Sequence, residues 1–181
     1  MRLLYIMITD KITHVKATHY LVIPYCIGGI HMAKICAFFG HRIIPDDLEP
    51  RLYELVEYVI VHHQVTEFWN GCYGGFDDLA ARVVIALKSK YPHIKLKRIF
   101  AYKPTSGYVR VGFDTNLYPE ILDQFPDLWH ILRRNLWMAK QCDVAITYIE
   151  HANSRIHEPF DLLEGKKPLY NLGSYQPKNP D

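Results

Sequence analysis

Apolar residues follow two patterns along the chain: short apolar or alternating runs, and spacing at the period of a helix. These patterns predict strands that alternate with helices. Short apolar runs at 35–39, 65–69 and 143–149 have the length of strands, and the first suits burial on both faces. The stretch at 94–102 alternates polar and apolar residues, which is typical of a strand near the edge of a sheet. A last strand is expected at 168–172.

Helical spacing separates these strands. We expect helices from about 46 to 63, 76 to 90, 127 to 141 and 157 to 164. An irregular connection is expected at 103–125, with a short helix that begins near Pro119. The positions expected to face the core are Leu48, Leu52, Leu55, Val56, Val59 and Ile60 in the first helix, Phe76, Leu79, Ala80, Val83, Val84 and Leu87 in the second, and Leu128, Ile131, Leu132, Leu136 and Trp137 in the third. This order predicts an α/β fold with a mostly parallel central sheet covered on both sides.

The length of 181 residues allows one well-buried domain, which we place at 32–175. Residues 1–31 differ from the rest: an apolar stretch at 20–30 is interrupted by proline and glycine and is too short to span a membrane. Either Met32 is the natural start and 1–31 is an extension outside the native protein, or 1–31 is an N-terminal arm of the domain. Residues 176–181 are expected to form a frayed tail.

Composition narrows the class of partner. The formal net charge is only +2, and the sequence has no clear basic stripe, which argues against nucleic acid as the main partner. The four cysteines, Cys26, Cys36, Cys72 and Cys142, include no Cys-x-x-Cys pair. We therefore expect reduced thiols and a cytoplasmic location, with no metal site and no transmembrane segment.

The candidate site follows from the predicted sheet. In such sheets ligands bind beyond the carboxyl ends of the strands, and the run Gly71–Asp77 joins a strand to a helix there. Its glycines would let the backbone approach a ligand, and the helix start would offer N–H groups to an anion. The residues expected at this rim are Gly40, His41, Arg42, Gly71, Cys72, Tyr73, Gly74, Gly75, Asp77, Tyr102, Lys103 and Tyr148.

Several of these residues have two readings. His41 either orients a phosphate or bonds to backbone at the end of the first strand, and Arg42 either binds an anion or pairs with Asp46 or Asp47. Asp77 either accepts a ribose hydroxyl or caps its helix. The tyrosines are expected to stack on a base or to hydrogen-bond a sugar.

Two further side chains could carry chemistry. Cys72 lies beside a helix start, where a thiolate would be stabilised, but it lacks a clear base partner in the sequence. Glu150 is a weak candidate for a nucleophile or a general base, and its alternative is a cap or a surface charge. The adjacent pair His62 and His63 reads as solvated, because neighbouring side chains on a helix point about 100° apart.

Three segments resemble the YpsA-like branch of the SLOG superfamily, which groups DNA-processing protein A with the LOG nucleotide hydrolases. Cys36-Ala-Phe-Phe-Gly-His-Arg42 is similar to the end of the first strand in that branch. Phe68-Trp-Asn-Gly-Cys-Tyr-Gly-Gly-Phe-Asp-Asp-Leu-Ala-Ala81 looks like the second motif. Arg134-Asn-Leu-Trp-Met138 with Cys142-Asp-Val-Ala-Ile-Thr-Tyr148 resembles the third block, so the likeness spans 33–150.

This resemblance implies a Rossmann-like three-layer sandwich, a protein of bacterial or phage type, and a pocket for a nucleotide or a nucleotide derivative, with no required cofactor. The positions that match the family's motifs are Gly40, His41, Arg42, Gly71, Gly74, Gly75, Asp77, Arg134 and Tyr148. A homodimer through the helix around Trp129 and Trp137 is suggested by analogy between folds.

The sequence also departs from the family. LOG enzymes carry a Pro-Gly-Gly-x-Gly-Thr-x-x-Glu motif where this chain has 150–157, a stretch without glycine. Nucleotide binding is therefore the function expected first, and the question of enzyme activity stays open. The alternative is hydrolysis or transfer at the N-glycosidic bond of a nucleotide, with Glu150 or Asp77 as the working carboxylate. Binding of single-stranded DNA is a weaker alternative.

Overall fold

The computed structural model describes residues 33–151 and 157–175, and six strands in these ranges form one sheet. The strands are β1 (Ile35–Gly40), β2 (Glu67–Asn70), β3 (Lys95–Ile99), β4 (Thr115–Leu117), β5 (Val144–Tyr148) and β6 (Leu169–Asn171). The helices are α1 (Leu48–His63), α2 (Gly75–Leu87), α3 (His130–Gln141) and α4 (His157–Leu163). Two 3-10 turns, Glu120–Gln124 and Asp127–Trp129, precede α3.

All five strand pairings are parallel, in the order β4-β3-β2-β1-β5-β6. One apolar cluster joins α1 and α2 to one face of the sheet, and a second joins α3 and α4 to the other face. The predicted Rossmann-like three-layer fold is therefore confirmed. The chain moves outward from β1 through β2 to β4 and then returns to β5, so the strand order reverses beside β1, where such sheets bind ligands.

The burial of α1 and α2 follows their hydrophobic stripes. Of the positions predicted to face the core in these two helices, all are buried except Leu55, which is half-buried against the same cluster. α3 differs, because Leu128 precedes the helix at 67% exposure while Arg134 is only 2% exposed. A hydrophobic pattern could not predict this, since the guanidinium of Arg134 donates to backbone carbonyls that are distant in the sequence, those of Gly71 and Ile99.

The connection after β3 contains a strand that the sequence pattern did not indicate, while the short helix expected near Pro119 is present as the 3-10 turn Glu120–Gln124. β4 lies at the edge of the sheet beside β3, within the segment that was expected to be irregular. Three residues are too few to establish an alternation of polar and apolar positions. β3 therefore lies one strand in from the edge.

The predicted N-terminal extension 1–31 and the frayed tail 176–181 both lie outside the described residues, so these boundaries stay predictions. Within the described ranges, none of the helices combines the length and hydrophobicity needed to cross a membrane. The predicted dimer surface is only partly available, because the Trp137 ring stacks on Trp69 of the same chain at 5.0 Å. Trp129 is 46% exposed, and the homodimer stays a prediction.

Candidate functional site

A cavity of about 270 Å³ lies at the carboxyl end of β1, between the loop that follows this strand, the start of α2, and α3. It is lined by Phe38, Phe39, Gly40, His41, Arg42, Tyr73, Asp77, Ile131, Leu132, Arg134 and Asn135. Its position matches the reversal of strand order beside β1.

The two glycines before α2 bring this helix close to the loop after β1. Gly74 has φ +139°, a conformation that side chains rarely adopt, and a Cβ on Gly75 would lie 2.6 Å from the carbonyl oxygen of Arg42. The N–H of Gly75 donates to that oxygen at 2.9 Å, and the N–H of Phe76 donates to the carbonyl of His41 at 3.3 Å. Two N–H groups at the helix start, which the sequence offered to an anion, are therefore used in joining the two loops.

Asn70, at the end of β2, organises the rest of the turn. Its side chain is fully buried, its Nδ2 donates to the carbonyl of Asp77 at 2.7 Å, and its Oδ1 accepts the N–H of Cys72 at 2.7 Å. The N–H of Tyr73 donates to Oδ2 of Asp77 at 2.9 Å. Sequence reasoning missed Asn70, although an amide that ends a buried apolar strand is a recognisable signal.

Arg134 brings a positive charge into the protein interior. Its Nη1 donates to the carbonyls of Gly71 at 2.8 Å and Ile99 at 2.9 Å, and its Nε is buried with no hydrogen-bond partner among the described residues. Burial lowers the pKa of Arg134, and the carboxylate of Asp77 opposes this shift. A buried guanidinium whose hydrogen-bonding capacity is incompletely used is a strong candidate for binding an anion.

Asp77 is the carboxyl group that lines the cavity. Its exposed fraction is 8%, and burial raises its pKa, against the opposing effects of Arg134 and of the N–H of Tyr73. The protonated form is therefore more accessible than in an exposed aspartate. The same group retains acceptor capacity for a ligand hydroxyl.

His41 adopts the second of its two predicted readings, a bond to backbone. Its Nε2 accepts the N–H of Glu150 at 2.9 Å, which requires a neutral ring protonated at Nδ1. Burial and the neighbouring His151 lower the pKa of His41, while Glu150 opposes the shift. The ring also forms part of the cavity wall, so the residue both holds the loop after β5 and faces the candidate site.

The predicted Glu150 and Tyr148 lie outside the cavity lining. The Oε2 of Glu150 accepts the hydroxyl of Ser174 at 2.6 Å, and hydrogen bonds from Ser174 and Tyr148 lower its pKa. The Tyr148 ring is 7% exposed and stacks on Phe76 with 6.1 Å between the ring centroids. Both side chains therefore have structural partners at this end of the sheet.

Arg42 is free to contact a ligand in the cavity, whereas burial disfavours the reactive thiolate form of Cys72. Arg42 is exposed and lines the cavity, and no ion pair joins it to Asp46, Asp47 or any other carboxylate within the described ranges. Cys72 is half-buried, and burial raises the pKa of its thiol to about 11. The stabilised thiolate expected at this helix start is thus opposed by desolvation.

The cavity thus brings together six of the predicted residues: Gly40, His41, Arg42, Tyr73, Asp77 and Arg134. Outside the lining lie Gly71, Cys72, Gly74, Gly75, Tyr102, Lys103, Tyr148 and Glu150. The lining residues that were not predicted as part of a site are Phe38, Phe39, Ile131, Leu132 and Asn135. Four of these five are apolar, and an apolar residue that lines a site cannot be told from a core residue by pattern. Asn135 could have been found from its place beside Arg134.

Comparison with known proteins gives a likeness of fold. No protein-family model matches the chain, and no curated protein matches it. A molybdenum cofactor binding protein from the phototrophic bacterium Rippkaea orientalis superposes with a TM-score of 0.54 and 15% identity, over 80% of this chain and 79% of that one. DNA processing protein A from Helicobacter pylori superposes with a TM-score of 0.56 and 17% identity, over 81% of this chain and 67% of that one.

Both likenesses agree with the Rossmann-like α/β fold of this chain. The second structure is described for its mode of binding single-stranded DNA, and the first is of a protein that binds the molybdenum cofactor. At these identities the likeness concerns the fold, because one fold carries many unrelated sites. The ligand of this chain must therefore be argued from its own cavity.

Proposed function

We propose that the protein binds a nucleotide or a nucleotide derivative in the cavity beside β1, as a member of the YpsA-like branch of the SLOG superfamily. The observation that most supports this is that two arginines, Arg42 and Arg134, line the same cavity. Arg42 is exposed and has no ion pair among the described residues, and Arg134 is buried with an Nε that has no hydrogen-bond partner there. Two guanidinium groups with unused donors suit a phosphate.

The other lining residues fit the remaining parts of such a ligand. The Asp77 carboxyl group can accept a ribose hydroxyl, and the half-exposed Tyr73 ring offers a surface to a base. The wall formed by Phe38, Phe39 and Leu132 is apolar, as is usual for small-molecule sites. No added cofactor is needed for binding of this kind.

The test is calorimetric titration with AMP, ADP-ribose and NAD, followed by Arg42→Ala. Loss of a charge-assisted hydrogen bond to phosphate costs roughly 1.5–3 kcal/mol, so the affinity of a phosphorylated ligand should fall roughly 10- to 150-fold. The matched control is Arg82→Ala: Arg82 is an exposed arginine of α2 that pairs with Glu49 and does not line the cavity. The proposal is refuted if none of the three ligands binds, or if Arg42→Ala and Arg82→Ala lose affinity equally.

A second candidate is cleavage or transfer at an N-glycosidic bond, and the observation that favours it is the buried Asp77 in the cavity wall with a raised pKa. A carboxyl group with a raised pKa holds its proton to a higher pH than an exposed aspartate does, which favours a role in proton transfer. Glu150 is less suitable, because it lies outside the lining and its carboxylate accepts from Ser174.

Chromatography of the three nucleotides after long incubation separates this candidate from simple binding. Release of base that is lost in Asp77→Asn and retained in Glu150→Gln would support an enzyme with Asp77 at its centre. Binding without release would support a binding module. Loss of release in Glu150→Gln alone would exclude this role for Asp77.

A further inference from the structure

Aromatic rings continue from the cavity to the protein surface. Tyr73 lines the cavity and is 39% exposed, and its ring centroid lies 6.4 Å from that of Tyr102, which is also 39% exposed. The Tyr102 ring lies in turn 5.6 Å from that of His130. We call these three residues the aromatic row.

The row is held in place by the protein. Tyr73 donates its N–H to Asp77, and its ring lies 5.4 Å from the guanidinium carbon of Arg134. His130 is 6% exposed, and its Nε2 donates to the carbonyl of Phe125 at 2.8 Å. Exposed aromatic rings that are already ordered can stack on a planar group with little further loss of entropy.

Size and charge indicate what would reach this row. The cavity volume of about 270 Å³ is close to the lower limit, roughly 300 Å³, of pockets that hold small molecules, so a larger ligand would extend beyond it. Tyr73 both lines the cavity and lies next to Tyr102, so a ligand that extends past Tyr73 would reach the Tyr102 ring. Lys103, the next residue after Tyr102, is exposed and forms an ion pair with Asp123 at 3.8 Å. Arg42 and Arg134 supply the positive charge of the cavity from which such a ligand would extend.

We propose that Tyr102, the exposed ring of the aromatic row outside the cavity lining, is a second, ring-binding subsite, and that the ligand is of the dinucleotide class, with two planar rings joined by phosphate groups. One nucleotide unit occupies the cavity, the phosphates lie against the arginines, and the second ring stacks on Tyr102. This inference rests on the proposed function and adds the class of ligand to it.

The test compares two probes that differ by a single ring. Diadenosine diphosphate has two adenines, and ADP-ribose is the same molecule without the second one. A base stacked on an aromatic side chain raises affinity roughly 5- to 150-fold, so the two-ring probe should bind the unaltered protein at least roughly 5-fold more tightly than ADP-ribose does. This ratio should fall to about one in Tyr102→Leu and persist in Tyr102→Phe, which keeps the ring.

Tyr53→Leu is the matched control, because Tyr53 is 36% exposed on α1 and lies outside both the cavity and the row. It should retain the ratio, and circular dichroism should show all three variants folded. A ratio near one in the unaltered protein, with ADP-ribose still bound, would overturn this inference and leave the proposed function standing. Failure of both probes to bind would overturn both. Tighter binding of a ten-base oligodeoxyadenylate than of diadenosine diphosphate would overturn the two-ring class in favour of a polymer.

Discussion

Replacing Gly74 with alanine tests the idea that the glycine turn joins two loops of the fold whether or not a ligand is present. Gly74 has φ +139° and ψ 176°, a region that is essentially restricted to glycine and costs other residues about 1–3 kcal/mol. A Cβ there would lie 2.9 Å from the Cα of Arg42. The backbone of Arg42 cannot easily move away from this Cβ, because the carbonyl of Arg42 accepts the N–H of Gly75.

We therefore expect Gly74→Ala to lower the free energy of unfolding by about 3 kcal/mol, which corresponds to a fall of about 6–12 °C in melting temperature for a chain of this size. Urea denaturation followed by circular dichroism measures the change. Gly107→Ala is the control: a Cβ on Gly107 meets nothing within 4 Å, so the free energy of unfolding should stay the same or rise by up to about 1 kcal/mol.

Two outcomes would refute this reasoning. A loss below about 0.5 kcal/mol in Gly74→Ala would mean that the backbone conformation or the close contact with Arg42 is not as described. An unchanged free energy of unfolding together with lost nucleotide binding would mean that Gly74 serves the ligand directly, as the sequence pattern first indicated.

Two further predictions concern the anchoring of α3 and the response to pH. The Nζ of Lys167 donates to three carbonyls at the end of α3, at 3.1, 2.7 and 2.6 Å, so Lys167→Met should cost about 1–3 kcal/mol of unfolding free energy in urea denaturation. The exposed neighbour Lys166 should be replaceable by Met without loss. The pKa of His41 is lowered in the folded protein, so the unfolded chain binds a proton first, and stability should fall as pH drops below about 6.5. His41→Gln should flatten this dependence between pH 7.5 and 5, and an equally steep dependence in the variant would show that another group is responsible.

Much of the fold could be predicted from the local spacing of apolar residues, and α2 illustrates the physical reason. Its apolar positions repeat at helical spacing, and each of the six predicted core positions is buried. Burial on one side of a regular helix is a property of the local sequence, because the period of the backbone decides which residues share a face. The ends of the strands could be placed in the same way, which located the rim of the sheet where the cavity lies.

The sequence by itself determined the layers, the parallel sheet and the set of polar residues at the carboxyl ends of its strands. Only the tertiary structure decided which of those residues hold the loops around the cavity together and which line the cavity. Gly75 is engaged with the carbonyl of Arg42, while Arg134 turns inward to the carbonyls of Gly71 and Ile99. The partners in each contact are more than thirty residues apart in the chain, so no local period or motif could indicate them.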